Sequence, residues 1–170
     1  GRLYDTLEEI VFKEGNGSLK DFGIKYSQIE LINGEFDFEK IEHFLTTNKA
    51  KLVFIQRSRG YEWTKARSIS QIKEVCCFVK KISPQSVIMV DNCYGEFVDT
   101  IEPFEAGADI FAGSLIKNPG GGIAPTGGYI CGREYLVDLV AGRLTAPNLK
   151  DEIGSYSEGY RLFYQGLFLA

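Results

Sequence analysis

The sequence predicts an α/β fold built on a mostly parallel sheet, and two observations carry that reading. First, KLVFIQ (51–56), SVIMVD (86–91) and ADIFAGS (108–114) are short, almost unbroken apolar runs. Strands buried on both faces read this way, because neither face needs polar residues. Second, segments with helical spacing of apolar residues alternate with these runs, and strands alternating with helices build a parallel sheet.

Taken in order, Asp5-Thr6-Leu7-Glu8 opens a helix, with Asp5 as N-cap and Glu8 reaching back. That helix carries LEEIVF and breaks at Gly15-Asn16-Gly17. IKYSQIEL (24–31) reads as a strand, followed by a turn at Asn33-Gly34. DFEKIEHFL (37–45) places Phe38, Ile41, Phe44 and Leu45 on one helical face. After the 51–56 strand, SISQIKEVCCFVKKI (68–82) is a helix capped by Ser68 or Ser70. GGYICG (127–132) is a fourth strand, REYLVDLVAGRL (133–144) a helix, and 145–154 a loop leading to a final helix. No internal repeat or low-complexity segment interrupts this order.

The 170 residues suffice for one domain, and 44% hydrophobic with 25% charged residues is ordinary for a chain with a real core. A net charge of −4 argues against nucleic acid or an anionic membrane as the main partner. No apolar run approaches the roughly 20 residues of a membrane span. Cys76, Cys77, Cys93 and Cys131 form no CxxC, which predicts reduced, mostly buried thiols in a cytoplasmic protein and no metal site. The chain lacks an initiator Met, and RLFYQGLFLA stops within a helix-like run, so it reads as part of a longer protein.

Ligands of parallel sheets bind beyond the carboxyl ends of the strands. Three sets of residues should therefore share one rim: Gln56-Arg57-Ser58, Asp91-Asn92-Cys93-Tyr94 and Ser114 to Lys117. The stretch AGSLIKNPGGGIAPTGGYI (112–130) is not a nucleotide-phosphate loop, since its Lys117 precedes the glycines. A carboxylate at the end of a buried strand is costly unless paired, and a protonated heteroaromatic nitrogen would pair Asp91. A lysine of lowered pKa is a nucleophile toward aldehydes, and pyridoxal phosphate enzymes set such a lysine against an Asp. On this reading Lys117 is the covalent anchor. Tyr94 offers a phenol to the cofactor's ring oxygen, and Ser114 offers a hydroxyl to its phosphate.

VDNCYGEF followed by GSLIKNPGG resembles the Asp-x-x-Tyr … Ser-x-x-Lys-Asn pattern of fold-type I pyridoxal phosphate enzymes, the aspartate aminotransferase superfamily. More closely, YDTLEE, GSLKDFGI, IQRSRGY, VDNCYGEFV, AGSLIKNPGGGIAPTGGYI and RLTAP resemble the methionine γ-lyase-like family, whose members are described as cystathionine β-lyase-related proteins of aluminium resistance. The resemblance runs along almost the whole chain. It implies a three-layer α/β sandwich with a mostly parallel mixed sheet, part of the large, cofactor-binding domain. Residues 1–144 would be its central part, and 145–170 would lead toward a C-terminal domain. It further implies pyridoxal 5'-phosphate, a small amino-acid substrate, carbon–sulfur elimination, and a homodimer or homotetramer of the full-length protein. The alternatives are transamination or a non-catalytic role in metal tolerance.

In this family reading Lys117 moves protons at Cα and Cβ or Cγ, and Asp91 keeps the pyridine nitrogen protonated. Tyr94 bonds the ring oxygen and Ser114 the phosphate. Arg57, with Arg59 behind it, is the candidate for a substrate carboxylate or a phosphate, and Gln56 for the ring oxygen. The stretch after Lys117 holds no Arg, where aminotransferases of the superfamily commonly place one for the phosphate. Thr126 or the amides of the glycine-rich turn would replace it. The cofactor's other contacts lie outside these 170 residues, so this piece alone would not catalyse. Of the remaining residues, His43 reads as exposed and inert, and Trp63 with Tyr61 as packed. Cys93 would fill space beside the ring, and Asp99 and Glu102 would cap a short element.

Overall fold

The computed structural model describes every residue except Gly1, Asn16, Ile153 and Ser155. Four strands form one sheet in the order β1-β2-β3-β4. They are β1 (Leu52–Gln56), β2 (Val87–Asp91), β3 (Ile110–Ser114) and β4 (Gly128–Gly132). The first three are parallel, with Gln56 opposite Asp91 and Asp91 opposite Ala112. β4 runs antiparallel to β3, Ser114 facing Gly128, so the sheet is mixed and mostly parallel as predicted.

The helices are α1 (Asp5–Val11), α2 (Phe38–Thr47), α3 (Ile69–Ile82), α4 (Glu134–Leu144) and α5 (Arg161–Leu169). α3 begins with a capping box: Ser68 Oγ accepts from the Gln71 amide at 3.2 Å, and Gln71 Oε1 accepts from the Ser68 amide at 2.9 Å. Its Ile72, Val75, Cys76 and Val79 are buried in one cluster with Ile41 and Leu45 of α2, Ile55 of β1 and Ile88 and Val90 of β2. Among the described residues no helix is long and apolar enough to cross a membrane.

Several expectations are corrected. Residues 24–31 form no strand; the segment is extended, and the only bridge nearby is Ile32 with Glu35 around the Asn33-Gly34 turn. Asp5 is not the N-cap of α1, which is Tyr4; instead Asp5 and Glu8 both pair with Arg2, at 3.0 and 2.9 Å. The predicted break at Gly15-Asn16-Gly17 includes Asn16, outside the described residues. The thiols are free, but only Cys76 is buried, while Cys77 and Cys131 are exposed.

The opposite end of β3 from the predicted site is clamped by Asp109. This carboxylate is only 3% exposed and accepts from the Ile88 amide at 2.8 Å. Lys80 Nζ lies 2.6 Å and Arg133 Nε 2.7 Å from it, so it joins β2, α3 and the start of α4. Burial opposes its charge, but Lys80, the Ile88 amide and Arg133 outweigh burial and hold its pKa below the ordinary value. A depressed carboxyl pKa stabilises the fold above the unfolded pKa, and the gain is lost as pH falls through the folded value. Asp109→Ala, which leaves the buried Ile88 amide without its acceptor, should cost about 1–3 kcal/mol in urea unfolding at neutral pH. The gap from the parent protein should close as the pH drops below about 4.

Candidate active site

The parallel pairing of β2 with β3 sets the ends of two strands side by side, and the amide of Asn92 continues the ladder to the Ala112 carbonyl at 2.8 Å. Asp91 ends β2, and its Oδ1 accepts from the Cys93 amide at 3.0 Å, an Asx-type turn that starts the following loop. Tyr94 then takes a left-handed backbone conformation, φ 66°, which non-glycine residues adopt rarely and which marks functional sites. Its ring is 61% exposed, and Lys117 Nζ sits 5.0 Å from the ring centroid. Lys117 itself follows β3 after a tight turn in which its amide bonds to the Ser114 carbonyl at 3.4 Å. Asp91, Cys93, Tyr94 and Lys117 therefore gather at one rim, as the strand-end argument predicts.

The protonation of Lys117 differs from the expectation. Burial lowers its pKa, but the neighbouring Cys93 thiol, then Tyr94 and Asp91, outweigh burial and raise it above the ordinary lysine value. Burial is the main cause that raises the Cys93 thiol in turn, with Lys117 opposing it. The neighbours of Lys117 therefore do not lower its pKa, contrary to the expectation.

Ser114 Oγ accepts a weak bond from the Ile116 amide at 3.4 Å, which leaves its hydroxyl proton uncommitted. Thr126 is exposed in the loop before β4, next to Gly127, whose carbonyl accepts from the Leu115 amide at 2.9 Å. Arg57 does not face the rim as a free anion receptor. It is 4% exposed, donates to Asn92 Oδ1 at 2.8 Å and the Gly95 carbonyl at 2.9 Å, and pairs with Asp99 at 2.5 Å. Its charge is used to hold the loop after β2. Gln56 is likewise engaged, accepting from the Tyr4 amide at 2.8 Å and donating to the Ser58 carbonyl at 3.2 Å. Arg59 lies 5.8 Å from the Trp63 ring centroid, while Trp63 is 98% and Tyr61 79% exposed, so this aromatic pair is not packed inside. Asp99 and Glu102 are not caps: Asp99 holds Arg57, and Glu102 accepts from Asn92 Nδ2 at 2.7 Å.

Sequence reasoning set Asn92 on the rim but gave it no role. Fully buried, it accepts from Arg57 and donates to Glu102 and to the Tyr129 hydroxyl at 3.1 Å. A buried amide immediately after a strand-ending Asp was the available signal, because such a group must find several partners. Tyr129 donates in turn to Glu96 Oε1 at 2.9 Å, and Asn118 Nδ2 donates to the Glu96 carbonyl at 3.0 Å. The Tyr94 loop, β4 and the Lys117 turn are thus tied together. Gly113 is required beneath them, since a Cβ there would overlap Glu96 and Tyr129.

Two of the glycines after Lys117 have a packing task. A Cβ on Gly121, whose φ is 52°, would strike the Gly166 carbonyl, and one on Gly166 would strike the Gly120 carbonyl. Gly120 and Gly121 therefore let α5 approach backbone to backbone.

The donor set fits a pyridoxal cofactor: one lysine, one strand-end carboxylate, one accessible phenol and one uncommitted hydroxyl occupy a single rim. The sequence matches the family described as methionine gamma-lyase over residues 1–170. A Lactobacillus delbrueckii subsp. bulgaricus protein of 33.9 kDa, encoded in the glnA 5' region and uncharacterised, is 47% identical over 98% of this chain and 56% of its own. A Listeria monocytogenes structure, provisionally named a cystathionine beta-lyase involved in aluminum resistance, is 55% identical with a TM-score of 0.93, covering 100% of this chain and 42% of that one. A Clostridium novyi NT structure named as a carbon-sulfur lyase involved in aluminum resistance is 46% identical, TM-score 0.91, covering 99% and 41%. Solved structures at 22% and 18% identity share the fold alone, with TM-scores of 0.53 and 0.57, and that fold is the fold-type I architecture. The chain thus spans about half or less of the length of these relatives.

Two outcomes follow from this geometry. Gly166→Ala should destabilise the full-length protein by about 1–3 kcal/mol through overpacking and speed hydrogen exchange in 161–169, with little change elsewhere. Cys93→Ala removes the foremost partner that raises Lys117. The pH profile for uptake of pyridoxal phosphate by the cofactor-free full-length protein should then shift to lower pH, read by absorbance, and an unchanged profile would contradict the role given to Cys93.

Proposed function

We propose, since the chain belongs to the methionine gamma-lyase family, that the full-length protein is a pyridoxal phosphate-dependent carbon–sulfur lyase acting on a sulfur-containing amino acid. The observation that supports this most is the placing of Lys117 over Tyr94, beside the strand end that carries Asp91. When bound, the cofactor supplies an electron sink for the charge that develops at the substrate Cα.

The chain's own residues do the rest. Asp91, already oriented by the Cys93 amide, holds a proton on the pyridine nitrogen opposite its carboxylate. Lys117 would anchor the cofactor, and its amine would take the proton from the substrate Cα and return one at the carbon or sulfur where the bond breaks. Tyr94 directs its phenol to the ring oxygen, and Ser114 donates to the phosphate with Thr126 close by in chain order. The carboxylate of the substrate is assigned away from Arg57, whose guanidinium is buried and engaged. Arg59 is the exposed arginine of the same loop.

Mixing the full-length protein with pyridoxal phosphate, reducing with borohydride and mapping the peptides should place the label on Lys117, and Lys117→Ala should abolish it. The loaded protein should release a thiol and a 2-oxo acid from a sulfur amino acid without any added 2-oxo-acid acceptor. Consumption that requires such an acceptor and yields no thiol would make the reaction a transamination instead.

A further inference from the structure

Lys117 carries its amine on a flexible four-carbon stem, so the base of that stem decides where the amine can reach. Its own contacts do little to fix that base. The Lys117 amide bonds to the Ser114 carbonyl at a long 3.4 Å, and its carbonyl accepts from Gly120 at 2.9 Å, within the same turn. The approach of its side chain to Tyr94 and Cys93 ends once the amine is engaged elsewhere. On the far side Pro119 and Gly120 are buried, with Gly120 packed on Gly166 of α5. On the side of the rim, Asn118 Nδ2 donates to the Glu96 carbonyl at 3.0 Å.

That acceptor is a fixed point. Glu96 is 4% exposed, its Oε1 accepts from Tyr129 at 2.9 Å, and it lies over Gly113, where a Cβ would overlap it. Glu96 also stands two residues after Tyr94, whose ring centroid is 5.0 Å from Lys117 Nζ. One bond thus joins the residue next to the lysine to the loop that presents the phenol. It uses neither the Lys117 amine nor the Tyr94 hydroxyl, so it persists while both are at work. We propose that Asn118 is a positioning residue, which through the Glu96 carbonyl holds the Lys117 turn in register with the Tyr94 loop and so sets where the amine meets cofactor and substrate. This role rests on the reading of Lys117 as the cofactor's anchor and holds whichever reaction follows. It concerns rate more than affinity, because a misplacement of about 1 Å costs up to ~100-fold in rate.

The test uses the full-length protein. Asn118→Leu keeps the shape and removes the donor, and Asn118→Ser is too short to span the gap. In both, borohydride reduction should still label Lys117, and the affinity for pyridoxal phosphate should match that of the parent protein. The induced circular dichroism of the bound cofactor, which reports its orientation, should change. Exchange of the Cα hydrogen of a bound sulfur amino acid with solvent deuterium should slow about tenfold to a hundredfold, with substrate affinity little altered. Parent-like dichroism and exchange in both variants would overturn the proposal. So would a loss of cofactor affinity that accounts for the slower exchange, which marks a merely structural residue. Tyr129→Phe removes the bond that fixes Glu96, and combined with Asn118→Leu it should do little more than either change alone; fully additive effects would show that Asn118 does not act through Glu96. A parent protein that exchanges the Cα hydrogen but releases no thiol would sink the lyase reading and leave the role of Asn118 standing.

Discussion

The buried side chain of Asn92 is the constraint on which the candidate site rests. It sits where β2 gives way to the loop carrying Cys93 and Tyr94, and it accepts from Arg57 after β1 while donating to Tyr129 of β4 and to Glu102. Its backbone amide and carbonyl bond to Ala112 and Gly95, both at 2.8 Å. One residue thus ties together the ends of three strands and the approach to Lys117. A buried amide so fully engaged tolerates few alternatives, because a lost partner leaves another polar group unsatisfied in a low-dielectric interior. The left-handed turns at Tyr94 and Phe97 persist inside this scaffold, which over-determines the loop around them.

The site is consequently rigid at its base and open at its top. Arg57 and Asp99 clamp the loop from one side, Glu96 and Tyr129 from below, and Asn118 reaches across from the Lys117 turn. Exposed above this base are the Tyr94 ring and the aromatic residues Tyr61 and Trp63. Burial would lower the Lys117 pKa, but Cys93, Tyr94 and Asp91 around it raise it. The glycines that follow it provide a seat for α5, so the turn bearing the lysine is packed from the far side as well.

Much of this was legible in the sequence. The three parallel strands, the cap at Ser68 and the convergence of Asp91, Tyr94 and Lys117 follow from apolar run length, cap chemistry and the rule of strand carboxyl ends, although the strands expected to be buried on both faces are buried only in part. Other features depended on partners distant in sequence. Arg57 looked like a free loop arginine because Asn92 and Asp99 lie 35 and 42 residues away. The packing of Gly120 and Gly121 against α5 was hidden from local reading because Gly166 lies far off in sequence. The 24–31 segment had strand periodicity yet forms no strand, since periodicity reports a face without reporting a ladder.

The central claim is that Asp91 and Lys117 address the same cofactor from adjoining strand ends. It is tested most directly by the protonation of the pyridine nitrogen, followed by magnetic resonance of isotopically labelled pyridoxal phosphate bound to the full-length protein. The account predicts a protonated ring nitrogen in the parent protein and an unprotonated one in Asp91→Ala, with the cofactor still bound to Lys117. The same protonation state in both proteins would contradict it.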